Sequence, residues 1–271
     1  MSIDRRQVLL AGITGAATTP MAFAASGSRP SSVAPSLVKN TRGTLSYIND
    51  DGKERGREWF AVSRREDGQI TLRAYCEIDD ARVERDVVQS MTPKFEPLDC
   101  FVRLHVGGEF SGTGWMRFTE TEAECEVYSV VLGRVAQRMP LPTPATTLVS
   151  HPISTDALLL SRYDHSKPDR IQTWRGGLAT STQLDGGSGP FLSLDAERSV
   201  EYVGPEPITT AAGRFDTHHY RLPMHARADG APRSYDLWCT HPDYLIVRGE
   251  VRGYLNNKTG YGRYDLVEYF G

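Results

Sequence analysis

The chain has 271 residues, 39% of them hydrophobic, with 31 Lys and Arg against 34 Asp and Glu. That length and apolar content suffice for one large β domain or two small ones. A formal net charge of −3 lacks the basic surplus expected of a nucleic-acid partner, so no nucleic acid is expected.

Residues 1–25 have the three parts of an export signal: a charged start around Arg5-Arg6, a weakly apolar run from Leu9 to Phe23, and the small-x-small site Ala22-Phe23-Ala24. Paired arginines followed by Val8-Leu9-Leu10 resemble the twin-arginine signal, a receptor-read address that implies the twin-arginine translocase as a partner during export. Gly12, Thr14, Gly15, Thr18, Thr19 and Pro20 interrupt the run too often for a stable membrane anchor, and a periplasmic location follows as the expectation. Residues 26–42, rich in Ser, Pro and Ala, read as a flexible leader.

From Gly43 onward the pattern is β. Thr44–Ile48 and Glu58–Val62 alternate around an Asp51-Gly52 turn, where Gly accepts the positive φ of a tight hairpin. Asp67-Gly68 introduces a strand that puts Ile70, Leu72, Ala74 and Cys76 on one face. Further strands are expected over 83–90, 99–106, 112–118 and 123–132, about seven or eight in the first half. Pro140, Pro142 and Pro144 exclude a helix interior or central strand, so 134–147 reads as a connection across an edge. Thr155–Tyr163 is the best helix candidate, capped by Ser154 or Thr155, with a buried strand as the competing reading. The Gly-rich stretch 167–190 suits a loop pair or flap. Strands then resume at 198–203, 213–222, 234–240, 243–252 and 261–270 as an antiparallel meander.

The expected fold class is mainly β: a large curved antiparallel sheet, or an open or half barrel meander, with at most one or two short helices. Residues 43–271 are expected to form a single antiparallel domain, which could divide into sheet halves 43–135 and 198–271. Cys76, Cys100, Cys125 and Cys239 permit disulfides in an oxidising compartment, yet isolated cysteines are also common buried hydrophobes, and no pairing follows from the sequence.

Gly213-x-Phe215-x-Thr217-x-x-Tyr220, then Leu237-Trp238 and Pro242-x-x-Leu245-x-Val247-Arg248, are similar to the C-terminal portion of a family of uncharacterised bacterial periplasmic proteins. The resemblance implies a curved antiparallel sheet broadly like the half-barrel of the outer-membrane lipoprotein localisation factors. Such a sheet offers a concave cleft for a hydrophobic or aromatic small molecule or a lipid.

Candidate chemistry centres on histidine. His218 and His219 are adjacent on a strand and therefore point to opposite faces. His151 precedes the helix candidate and Asp156 lies in its first turn, and a His/Asp pair drawn from His151, Asp156, His218, His219 and Asp216 could act as general acid and base. The alternative to a binding protein is therefore a cofactor-free lyase, isomerase or hydrolase. No H-x-H or H-E-x-x-H spacing supports a metal, no phosphate loop is present, and no cofactor is expected. Gly187-Ser188-Gly189 lacks the strand and helix of a nucleophile elbow. Arg103, Trp115, Tyr220 and Trp238 are the candidate ligand contacts; an inward arginine could hold a carboxylate, although a solvated outer face is the expectation for Arg85 and Arg103. Tyrosines 235, 244, 254, 261, 264 and 269 could line a pocket or pack across strands.

Overall fold

The computed structural model describes residues 37–183, 185–194, 197–224, 233–255 and 257–271, so the signal expected at 1–25 and most of the leader lie outside the described residues. Regular structure starts at Leu37, earlier than the Gly43 expected. Eight strands lead: β1 (Leu37–Asn49), β2 (Glu54–Arg65), β3 (Ile70–Ile78), β4 (Val83–Met91), β5 (Pro97–Val106), β6 (Glu109–Phe118), β7 (Glu122–Ser129) and β8 (Gly133–Pro140). The middle of the chain holds β9 (Thr147–Val149), helix α1 (Ile153–Asp156), a 3₁₀ segment over Ala157–Arg162, β10 (Ile171–Trp174), β11 (Gly177–Ala179) and β12 (Ser193–Leu194). The remainder supplies β13 (Arg198–Pro205), β14 (Ile208–Thr210), β15 (Gly213–Phe215), β16 (His218–Met224), β17 (Arg233–Cys239), β18 (Ile246–Arg252) and β19 (Gly262–Phe270).

Fourteen of these strands form one curved antiparallel sheet in the order β10-β13-β16-β17-β18-β19-β1-β2-β3-β4-β5-β6-β7-β8, which does not close into a barrel. Two local meanders are joined where the last strand pairs with the first, with Tyr47 opposite Tyr264. The stretch expected to be a connection, 134–147, instead begins as β8, an edge strand, and Pro140 is tolerated because that edge needs no further ladder bonds.

Period-two alternation decides which face each residue meets. Ile70, Leu72, Ala74 and Cys76 all lie on the buried face of β3. The middle segment fills this inner face. Ala157–Leu160 pack among Leu45, Phe60, Leu72, Tyr220 and Leu237. Leu148, Leu178 and Leu192 pack against Val102, Met116 and Val127. Gly112 and Gly114 alternate on the inner face of β6 and leave space for Pro190: a Cβ at Gly114 would stand 2.9 Å from the Pro190 ring. Within the Gly-rich 167–190 stretch, Gly177–Ser181 and Pro190 are core filling rather than a free flap, while 167–175 is exposed or half-buried and supplies the edge strand β10.

The helix is real but short, four α residues followed by 3₁₀ turns. Its expected caps fail. Pro152 occupies the N-cap without a side-chain bond, and the buried carboxylate of Glu58 on β2 accepts the Ile153 and Ser154 amides at 2.6 and 3.1 Å. A carboxylate at a helix N-terminus satisfies free amides whichever element supplies it. The expected strand 213–222 divides into β15 and β16, because β14 and β15 form their own hairpin on the outer face.

Candidate functional site

Between the middle segment and strands β1, β17, β18 and β19 lie two cavities of about 550 and 340 Å³ that share His151, Ile153, Thr182, Gln183, Tyr254 and Tyr264 on their walls. Together they form a cleft lined by tyrosine rings, apolar side chains and, in comparable share, polar and charged groups. Tyr47, Arg55 and Asp80 belong to the larger cavity; Asp156, Leu222 and Tyr235 belong to the smaller. Arg55 and Asp80 pair at 2.9 Å.

His151 sits just after β9 with a left-handed φ of 81°. Burial, and then the nearby Arg85 guanidinium, push its imidazole down to about 3, against a hydrogen bond with the Ser181 backbone. The ring is therefore neutral near pH 7. Its Nε2 is buried without a hydrogen-bond partner. A protonated Nδ1 leaves a lone pair on Nε2, ready to accept a hydrogen bond from a ligand hydroxyl or N–H.

The polar groups behind this wall are engaged with one another. Asp156 accepts from the Tyr235 hydroxyl at 2.9 Å. Glu58 accepts from Tyr47 at 2.6 Å, and burial raises its carboxyl above the usual range. Arg85, expected on a solvated face, points inward and is only 2% exposed. It donates to the Ser150 and Gly186 carbonyls at 3.0 and 2.6 Å and to Thr180 Oγ1 at 2.6 Å, and burial lowers it to about 10. Those bonds tie β4 to the loops on either side of the cleft.

The residues singled out from the sequence divide into four pairs. His151 and Asp156 share the cleft. His218 and Tyr220 face the inner side farther along β16, in a cluster of phenols and imidazoles. There Tyr220 Oη lies 2.8 Å from both His165 Nε2 and His241 Nε2, Tyr202 Oη lies 2.7 Å from His218 Nδ1, and the His218 and His241 rings stack at 4.2 Å. Burial, with His218 and His165 next, lowers His241 to about 4. Among the described residues no three His, Cys, Asp or Glu side chains are placed to hold a metal ion.

His219 and Trp238 stand together on the outer face beneath the β14–β15 hairpin. The two rings stack at 4.2 Å; His219 contacts Asp236 at 2.8 Å and Glu206 at 3.1 Å, and Trp238 donates to Glu206 at 2.9 Å. Ile208, Phe215 and Val247 close over Trp238, which is packing rather than an open contact surface. Arg103 and Trp115 are exposed on the outer face of β5 and β6, away from the cleft. The expected opposition of His218 and His219 holds: it sends His219 to the outer face, while His218 stays on the inner side but outside the cleft that His151 and Asp156 line.

Sequence reading did not single out Glu58, His165, Tyr202 or Gln183. Glu58 and Arg85 did carry a signal: each is a charge in register with apolar neighbours, Phe60 for one and Val83 and Val87 for the other. A charge on a stripe that must be buried implies an internal partner. His165 and Gln183 lie in irregular stretches where periodicity assigns no face.

The fold and cleft define an open antiparallel sheet wrapped around a segment of its own chain. Its architecture resembles that of a solved β-barrel-like protein of domain of unknown function DUF1849 from Brucella abortus, with a TM-score of 0.52 at 9% identity over 87% of this chain and 98% of that one. Weaker likenesses are to a Bacteroides fragilis protein described as exported with a YmcC-like fold (TM-score 0.32, 13% identity, 85% and 95% coverage) and to a Parabacteroides distasonis protein described as a lipoprotein (TM-score 0.31, 11% identity, 86% and 96% coverage). No family model and no curated protein matches the sequence. At these identities the likeness speaks for the fold alone.

Proposed function

We propose that this chain is an exported binding protein whose cleft, between the sheet and its enclosed middle segment, takes a small aromatic or amphipathic molecule. The observation that carries the reading is the buried, unpartnered Nε2 of His151 in a cleft whose walls combine tyrosine rings and apolar side chains with polar and charged groups such as Arg55, Asp80, Asp156 and Gln183. A buried acceptor without a partner is costly, and a ligand hydroxyl or N–H would offset that cost. Tyrosine faces favour a planar ring over a bare acyl chain, so among the ligands expected from the sequence an aromatic one with a donor group fits better than a simple lipid. The twin-arginine-like start of the sequence supports a periplasmic setting.

Catalysis by a His/Asp pair is the weaker reading. His151 is too weak a base near neutral pH, Asp156 beside it in the cleft is engaged by the Tyr235 hydroxyl, and His218 and His219 stand in separate clusters.

The test is native mass spectrometry of the protein recovered from its own cells, compared with a His151→Phe variant that fills the cleft. A small organic mass retained by the wild type and absent from the variant is the expected result. Recovery of both as bare polypeptide, with no rise in melting temperature when wild type is mixed with a small-molecule extract of the same cells, would overturn the proposal. A Tyr254→Ala variant, altered on the open wall, gives the same reading if His151→Phe does not fold.

A further inference from the structure

At the far end of the sheet from the cleft-lining β17 and β18, the β7–β8 hairpin turns through Val130, Val131 and Leu132, which are 53, 83 and 62% exposed. Three adjacent exposed aliphatic residues at one apex are unusual on a surface that otherwise alternates with polar groups. Their three backbone N–H groups already have acceptors. Val130 N donates to the Ser111 carbonyl at 3.0 Å, and the Ser129 hydroxyl accepts from Val131 N and Leu132 N at 3.2 and 3.4 Å. Amides bonded within the turn remove much of the cost of carrying a backbone out of water.

Below the apex comes a collar of aromatic rings and guanidinium groups. Tyr128 and Arg134 are direct cross-strand partners on β7 and β8. Phe110 stacks on Tyr128 at 6.3 Å, and Arg103 lies over the Phe110 ring at 5.9 Å. The neighbouring β5–β6 turn adds Val106, with Arg82 bonded to the Gly107 carbonyl. Glu109 is the carboxylate of that turn, while Asp86 stands opposite Arg103 and Glu126 shares the groove of Tyr128 and Arg134, so these carboxylates offset part of the charge of Arg82, Arg103 and Arg134.

An aliphatic apex followed by one row that holds Tyr128, Arg134 and Arg103 side by side matches the step from acyl chains to the headgroup level. We propose that this hairpin docks the protein reversibly on an anionic phospholipid surface, with Val131 and Leu132 entering the acyl region and Arg103 and Arg134 meeting lipid phosphates. A single projecting turn is too small to supply a protein interface of ordinary size, whereas lipid yields around it and rewards each apolar side chain separately. Headgroup charge supplies the second attraction that so short an apolar segment needs.

The probe is co-sedimentation of the protein, purified after export, with sucrose-loaded vesicles of phosphatidylcholine alone or with one-third phosphatidylglycerol. Wild type is expected to partition onto the anionic vesicles, at least tenfold more strongly than a V131D/L132D variant, and Arg134→Ser is expected to weaken binding severalfold and reduce its salt dependence. All three substitutions are on exposed residues, and an unchanged melting temperature confirms the fold. The proposal is overturned if wild type and V131D/L132D partition equally, if neither partitions, or if light scattering shows that the apex instead joins two copies of the chain.

Discussion

The Tyr47 hydroxyl donates to Glu58 Oε2 at 2.6 Å, and the same carboxylate receives the Ile153 and Ser154 amides that open helix α1. One buried acidic side chain on β2 therefore orients a tyrosine of the cleft and anchors the segment that fills the sheet. Glu58→Ala strands three buried donors, so a loss of about 2–4 kcal/mol of unfolding free energy is expected. Glu58→Gln keeps one oxygen for Tyr47 and Ile153 but turns an NH₂ toward the Ser154 amide, and should cost roughly half as much. Urea denaturation of the two variants checks the order, and equal stabilities would remove Glu58 from this role.

The alternating glycines of β6 make a second prediction. A methyl group at position 114 would meet Pro190 at 2.9 Å and Val127 at 3.1 Å. Gly114→Ala should therefore cost about 1–3 kcal/mol through overpacking. Hydrogen exchange in the variant should rise in β11 and around Pro190 before it rises in β1 or β2. Uniform loss of protection would contradict local undocking.

Acid should destabilise the fold in a definite window. His151 and His241 are lowered from 6.5 to about 3 and about 4, so between those values and 6.5 the unfolded chain binds more protons than the folded one. Stability is then lost as pH falls from 6.5 toward 4. Glu58 acts oppositely: its raised carboxyl holds its proton longer in the folded state, so acidification relieves that site. Three depressed imidazoles, His165 included, against one raised carboxyl predict a net fall. The urea midpoint measured from pH 6.5 to 4 should decline, and His241→Phe should flatten the decline; an identical slope in the variant would refute the assignment.

All four cysteines are free and buried. Cys100 and Cys125 flank Met116 in one row across three strands, so they are two strand spacings apart, about 10 Å, too far for a disulfide. Burial raises the Cys100 and Cys125 thiols to about 12 and about 11, and raises Cys76 and Cys239 as well. Iodoacetamide should leave the native protein unmodified and add four adducts in urea, read by intact mass. Two adducts in urea without reductant would show a disulfide instead.

Much of the sheet was legible before any coordinates. Alternation is a local property of the chain, so it placed Ile70, Leu72, Ala74 and Cys76 on one face and sent His218 and His219 to opposite ones. Glycine at Gly52 and Gly68, both at positive φ, marked real turns for an equally local reason. The site was far less legible. His151 and Asp156 were named and do share the cleft, but Trp238 and Arg103 were read as ligand contacts on the strength of residue type alone.

What the sequence determined by itself is the strand content, the alternation of faces and the sites of the turns, because each depends on residues a few positions apart. Tertiary structure decided what covers each face. It brought β19 beside β1, laid the middle segment into the open sheet, folded β14 and β15 over Trp238 and gathered His165, His218 and His241 from three distant stretches. Those contacts reflect burial of apolar area and satisfaction of polar groups across the whole chain, terms that no window of neighbouring residues contains.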